Sequence, residues 1–203
     1  VSSLSKNIKV DSLDTDAQAD DIELRHGSYL QLDYTTYASD GSTAIDLTGA
    51  TIRFTCLDIE GEANEFQLLL QPITDASWAA NVVTFTCTAH GYVASDTVTV
   101  EDCGNGNYDG AYTVVSAPTA DTFTAALVGD PGAFTTDGYV SETTGRITMT
   151  TEASGTFSVY LTDTQTDTDA KTYLYDIHIT LGGGTEHHAA WGKLRIYPTP
   201  YTG

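Results

Sequence analysis

The chain has 203 residues, 40% of them hydrophobic, with 28 acidic against 8 basic residues and a formal net charge of −20 at pH 7. No Lys or Arg occurs between Arg53 and Arg146. Phosphate backbones and anionic lipid headgroups are bound through clustered Lys and Arg, so this charge balance excludes nucleic acid and membrane as partners.

The length suffices for one large or two small domains with a real core. Gly and Thr are abundant, and long runs of Ala, Leu, Lys and Glu are missing, so the composition predicts an all-β fold. The first residues carry no basic-then-apolar signal pattern, and no stretch approaches the roughly 18 apolar residues of a membrane span, so the expectation is a soluble chain. Cys56, Cys87 and Cys103 lack CxxC spacing and paired histidines, which argues against a zinc site among them. Cys56 and Cys87 fall on the apolar phase of their strands and read as small core side chains.

Residues 1–20 are polar, with Asp11, Asp14, Asp16 and Asp20 running into Asp21, and predict an arm that is loose alone and orders against a neighbour. Residues 21–75 predict the first part of a β-sandwich. Leu30, Leu32 and Tyr34 alternate with Gln31 and Asp33, then Asp40-Gly41 marks a turn, then Ile52, Phe54 and Cys56 alternate with Arg53 and Thr55. The run 63–71 reads equally as strand or as a short helical turn, with Pro72 as its stop.

Residues 76–141 change character and predict a self-contained small β-barrel or sandwich module. Val83, Phe85 and Cys87 form one inward face, Val98 and Val100 a second, Tyr112 and Val114 a third, and Phe123, Ala125 and Leu127 a fourth. Gly-rich turns separate them, as short strands that each bury one face require. The first pattern returns over 142–197, with Phe157, Val159 and Leu161, then Tyr173, Tyr175, Ile177 and Ile179, a Gly182-Gly183-Gly184 hairpin tip, and Leu194 and Ile196. Asp176 and His178 on one arm of that hairpin face Lys193 and Arg195 on the other, so cross-strand charge pairing is expected. Residues 198–203, with Pro198 and Pro200, predict an extended tail.

Gly27, Asp40-Gly41, Asp46-Leu47-Thr48-Gly49-Ala50-Thr51-Ile52, Gly155-Thr156-Phe157-Ser158-Val159-Tyr160-Leu161-Thr162, Thr172-Tyr173-Leu174-Tyr175-Asp176-Ile177 and Trp191-Gly192-Lys193-Leu194-Arg195-Ile196 come in a telling order. Together they resemble the immunoglobulin-like domain at the N-terminus of tailed-phage baseplate upper proteins. The resemblance covers residues 21–75 and 142–203. In the middle, Thr88-Ala89-His90-Gly91-Tyr92, Asp96-Thr97-Val98-Thr99-Val100 and Tyr108-Asp109-Gly110-Ala111-Tyr112-Thr113-Val114 are similar to small β-barrel modules of phage tail and fibre proteins. The family domain usually runs uninterrupted, so the inserted module is a departure.

The resemblance implies an immunoglobulin-like β-sandwich with an inserted module, located in a virion and bound to other virion proteins and to copies of itself. Baseplate or tail is the first placement it implies, and capsid decoration or head fibre the second. It implies no catalysis and no cofactor.

The residues add few rival sites. Asn105-Gly106-Asn107-Tyr108-Asp109-Gly110 opens like a calcium loop, but the twelfth position is Ser116 where a bidentate Glu is needed, so it reads as a turn. Asp163, Asp167 and Asp169, like the Asp14 to Asp21 cluster, read as solvated loops. His187 and His188 are neighbours in a predicted strand and point to opposite faces, which argues against a shared metal. His90 reads as a turn residue. No Gly-x-Ser-x-Gly elbow or phosphate-cradling pattern occurs, so no catalytic, cofactor or metal residues are expected. Among the tyrosines, Tyr173 and Tyr175 belong to the core. Tyr92, Tyr108 and Tyr139 are the candidates for contact with a host-surface glycan or a partner, and a carbohydrate-binding receptor module is the alternative function.

Overall fold

The computed structural model describes residues 2–9, 18–19, 21–38, 40–59 and 64–198, with 2–9, 18–19 and 64 described by their backbone alone. Extended segments dominate, as the composition predicts. In chain order they are β1 (Ser2–Lys9), β2 (Gln18–Ala19), β3 (Ile22–Arg25), β4 (Leu30–Tyr37), β5 (Thr51–Asp58), β6 (Asn64–Ile73), β7 (Asp75–Ala79) and β8 (Val82–Thr86). There follow β9 (Thr97–Glu101), β10 (Gly110–Thr119), β11 (Thr122–Ala126), β12 (Gly138–Glu142), β13 (Arg146–Thr151), β14 (Thr156–Leu161), a one-turn helix α1 (Asp163–Thr166), β15 (Thr172–Thr180) and β16 (Glu186–Tyr197). The chain divides into two compact units, residues 1–69 with 145–203, and residues 70–144.

The first unit has two sheets. One is ordered β1-β4-β14-β13, and the other runs from β6 through β5 and β15 to β16, beyond which β2 and β3 pair along β16. Strict alternation drives this layout. In β4 every second residue is buried, and in β5 Ile52, Phe54 and Cys56 are fully buried between half-exposed neighbours. Tyr34 stacks on Phe157 within the first sheet at 5.1 Å, and Phe54 stacks on Tyr175 within the second at 5.5 Å. Each such side chain removed from water contributes about 1.5–3 kcal/mol.

In the N-terminal segment β1 runs parallel to β4 in register Ser2↔Leu30 to Lys9↔Tyr37, and β2 lies beside Ala190 and Trp191 of β16. Backbone pairing to a sheet edge places this mostly polar stretch, with Leu4 opposite Leu32 and Ile8 opposite Thr36. The aspartates at 11, 14, 16 and 20 and the tail residues 199–203 lie outside the described residues.

The second unit follows the path β6-β12-β9-β10-β11-β8-β7. Its two end strands, β6 and β7, are consecutive in the chain, separated only by Thr74, and no ladder joins them among the described residues, so the sheet does not close into a barrel. The inward faces meet in one cluster in which Phe85 touches Tyr108, Tyr112 and Phe123 at centroid distances of 5.2 to 6.3 Å. Entry and exit strands are neighbours, with Leu70 opposite Ser141 and Ile73 opposite Gly138.

The ambiguous run before Pro72 is strand, and Pro72 does not stop it: the proline sits inside β6, opposite Tyr139. A ring without an N–H keeps such a place only where the amide would point away from the partner strand.

Gly155 closes the short turn before β14. Its φ is +64°, and an added Cβ would lie 2.6 Å from the Ile45 carbonyl oxygen as well as against Thr36. Both the left-handed backbone and the close approach require glycine. Gly155→Ala is expected to destabilise the protein by more than about 1 kcal/mol, read as a lower denaturant midpoint. Gly183→Ala, which meets open space, is expected to leave the midpoint nearly unchanged.

Candidate functional site

The three tyrosines singled out by sequence are core residues. Tyr92, Tyr108 and Tyr139 are 7%, 1% and 0% exposed, so none offers a ring face for stacking on a sugar. The Tyr108 hydroxyl donates to the Gly132 carbonyl at 2.7 Å, and its ring packs on Phe85 and Phe134. Tyr139 lies on β12 with its neighbours also buried. Period-2 reading does not see this, because β12 has both faces covered. His90 is likewise buried and stacks on Tyr92, with its Nδ1 accepting from the Tyr92 amide at 2.9 Å.

The Asn105 loop is a turn whose oxygens and amides are already engaged. Asn105 caps a 3-10 turn over Gly106–Tyr108 and donates from Nδ2 to the Pro131 and Ala133 carbonyls, while Asp109 accepts from the Cys103 amide at 3.0 Å. The loop therefore fastens residues 131–133 and does not present converging ligands. Asp163 begins α1, and Asp167 pairs with His26 at 3.1 Å.

In the second unit a cleft of about 350 Å³ is lined by Tyr92, Ser95, Asp96, Thr97, Glu142 and Thr144. Desolvation, then the nearby Asp96 charge, raises the Glu142 carboxyl above its ordinary range. Asp96 holds its own turn by accepting from the Val93 amide at 2.7 Å. Hydroxyls and two carboxylates make the cleft a hydrogen-bonding surface. Sequence reading missed Asp96 and Glu142 as a pair, since they come together only through the β9–β12 ladder.

In the first unit, the outer face of β15 and β16 carries a denser cluster. His178 Nε2 lies 2.6 Å from Asp176 Oδ2, His178 Nδ1 lies 2.9 Å from Glu186 Oε1, and His188 Nδ1 lies 3.6 Å from Asp176 Oδ2. Arg53 donates to the same Glu186 oxygen at 3.0 Å. The His178 hydrogen bond, with the charges of His178, Arg53 and His188, holds the Glu186 carboxyl below its ordinary range. The expected pairing of Asp176 and His178 with Lys193 and Arg195 does not occur. Asp176 stands opposite Trp191, and Arg195 turns outward to Asp21 and Glu23 at 2.9 and 3.0 Å. His187 points inward and is buried, as neighbouring strand residues require.

Among the described residues, no helix is long and apolar enough to cross a membrane. No family model matches the sequence. No curated protein matches it either. Among solved structures, the chain is similar to the N-terminal domain of phage TP901-1 ORF48, with 8% identity over 95% of this chain and 98% of that one and a TM-score of 0.37. It is also similar to a phage phi92 endosialidase, with 15% identity over 60% of this chain and a TM-score of 0.28. The match spans 22% of the endosialidase chain. Neither likeness is close enough to carry an argument.

The three cysteines are free and buried, and burial pushes the Cys56 and Cys87 thiols up from 9.0 to about 12. Burial, then the Asp109 hydrogen bond, also raises Cys103. The thiolate is the nucleophile, so native protein is expected to resist iodoacetamide at neutral pH and to take up three equivalents once unfolded. Because these folded-state values exceed the unfolded one, the native state holds its protons longer as pH rises. The melting temperature is therefore expected to be insensitive to these groups below pH 9.0 and to fall above it. Fast labelling of the native chain would contradict this.

Proposed function

We propose that the chain is a structural component of a tailed-phage virion, an oligomeric accessory or adaptor protein of the baseplate or tail. Capsid decoration or head fibre is the second placement that the same architecture would serve. The observation that carries the reading is the division of the chain into a two-sheet sandwich made from its first and last parts and a separate unit interposed between them. That division gives a spatial basis to the two separate sequence resemblances, one to the flanks and one to the middle.

The immunoglobulin-like reading of the sandwich draws support from strand order. The orders β1-β4-β14-β13 and β16-β15-β5-β6 correspond to A-B-E-D and G-F-C-C′ of a variable-type domain. The parallel pairing of β1 with β4 is a departure from its antiparallel sheets. On this reading the insertion replaces the connection between C′ and D.

The proposed partners are other virion proteins and further copies of this chain in a symmetric assembly. Among the described residues β13 pairs on one side only, with β14, which leaves an edge suited to strand addition. The work is mechanical and adhesive, without catalysis or cofactor. A host-glycan role would fall to the polar cleft of Asp96 and Glu142, since the tyrosine rings are buried.

Quantitative mass spectrometry of purified virions is expected to find the chain in a copy number that is a multiple of a particle symmetry number. Absence from the particles would contradict the proposal. Saturable binding on a glycan panel, lost in Glu142→Gln, would favour the receptor role over the scaffold.

A further inference from the structure

The cluster on β15 and β16 is assembled by a defect in the ladder. Up to Ile177↔Ala190 the two strands pair in one register, and from His178↔His188 onward they pair in a register shifted by one, leaving Ala189 as the extra residue of a β-bulge. In an unbulged ladder Ala189 would stand opposite His178, and His188 would stand opposite Ile179, on the inner face. The bulge turns His188 outward beside His178, whose ring centroid is 3.8 Å away, and sends His187 into the core. Asp176 joins them because residues two apart on β15 share a face.

The donor atoms of Asp176, His178 and His188 lie within 4.8 Å of one another. His178 is flanked by carboxylates at both ring nitrogens. Its Nδ1 lies 2.9 Å from Glu186 Oε1 and its Nε2 lies 2.6 Å from Asp176 Oδ2, so both ring nitrogens are aimed at carboxylate oxygens. His188 directs Nδ1 at the same oxygen, and Asp176 Oδ1 is buried with no hydrogen-bond partner.

Two imidazoles and one carboxylate form a donor set for borderline divalent ions, whereas calcium and magnesium take six or more oxygen ligands. Zinc bonds of about 2.0–2.1 Å in a tetrahedron put ligand atoms about 3.3 Å apart. The 3.6 Å separation of His188 Nδ1 from Asp176 Oδ2 is near that edge, whereas His178 Nε2 and Asp176 Oδ2 stand at hydrogen-bond distance, 2.6 Å, and part by about 0.7 Å when an ion enters.

The surroundings fit as well. Glu186 Oε1 engages His178 at Nδ1, on the other side of the ring from the Nε2 that faces Asp176, and Arg53 holds Glu186 in turn. The His188 side chain is 45% exposed, which leaves ions and a fourth, solvent ligand free to reach the centre.

We propose that Asp176, His178 and His188 bind one divalent transition-metal ion of the zinc type, with Glu186 as the residue that positions His178. The ion clamps β15 to β16 across the bulge. This site is independent of where in a particle the chain resides.

The test uses the full chain stripped with a chelator and titrated with Zn²⁺ by calorimetry and with Co²⁺ by visible absorption. One equivalent of Zn²⁺ is expected to bind with a dissociation constant of about 1 μM or tighter, and to raise the melting temperature. Co²⁺ is expected to give the intense d–d bands of a four- or five-coordinate site. His188→Ala, on an exposed position, is expected to fold with an unchanged circular dichroism spectrum and to lose at least about tenfold in affinity, along with the cobalt bands. Asp176→Asn is expected to do the same, and His26→Ala to bind as the parent does. No uptake at about millimolar Zn²⁺ would overturn the proposal. Uptake unchanged in His188→Ala would overturn it too, assigning the metal to scattered carboxylates.

Discussion

Two antiparallel ladders, β4 with β14 and β5 with β15, hold the first unit together, and both join residues separated by the whole of the second unit. The Thr36 hydroxyl donates to the Gly155 carbonyl across 119 positions of sequence. Loop-closure entropy for such a span is large in absolute terms but grows only logarithmically with length. The second unit brings its own two ends together, since Leu70 pairs with Ser141. Once that unit is folded, the loop that β5 and β15 must close is effectively a short one. An insertion with adjacent ends is thus compatible with a sandwich whose halves are far apart in sequence.

The two units manage charge in different ways. In the first, three cations pair with specific carboxylates: Lys171 with Asp58 at 2.7 Å, Arg53 with Glu186, and Arg195 with Asp21 and Glu23. The second has no Lys or Arg at all. Four of its aspartates instead accept from backbone amides: Asp96 from Val93, Asp109 from Cys103 and Asp130 from Gly132 within local turns, and Asp121 from Ala89 between two separate loops. Net repulsion within that unit is screened by salt, whereas these local hydrogen bonds are not. Its turns are therefore expected to stay fixed across ionic strengths on a surface that carries no Lys or Arg.

The strands were legible wherever one face meets the core and the other meets water. Leu30, Leu32 and Tyr34, or Val83, Phe85 and Cys87, announce themselves by period two and are buried as read. Legibility failed where that contrast vanishes. β12 is buried on both faces, so Tyr139 looked like a surface ring, and β1 has only Leu4 and Ile8 on one phase, too sparse a pattern to stand out in a polar stretch. The histidine cluster was invisible for a sharper reason. Alternation correctly sends His187 and His188 to opposite faces, but only the Ala189 bulge decides which one goes outward, and a bulge leaves no period in the sequence.

Residues 1–69 and 145–203 form one compact unit, and residues 70–144 form another. Native-state hydrogen exchange of the whole chain, followed by mass spectrometry across a denaturant series, tests this most directly. Amides of β4, β5, β14 and β15 are expected to share one opening free energy and one denaturant dependence, distinct from those shared by β8, β9, β10 and β11. Two separate exchange classes for β4 with β5 and for β14 with β15 would contradict the account.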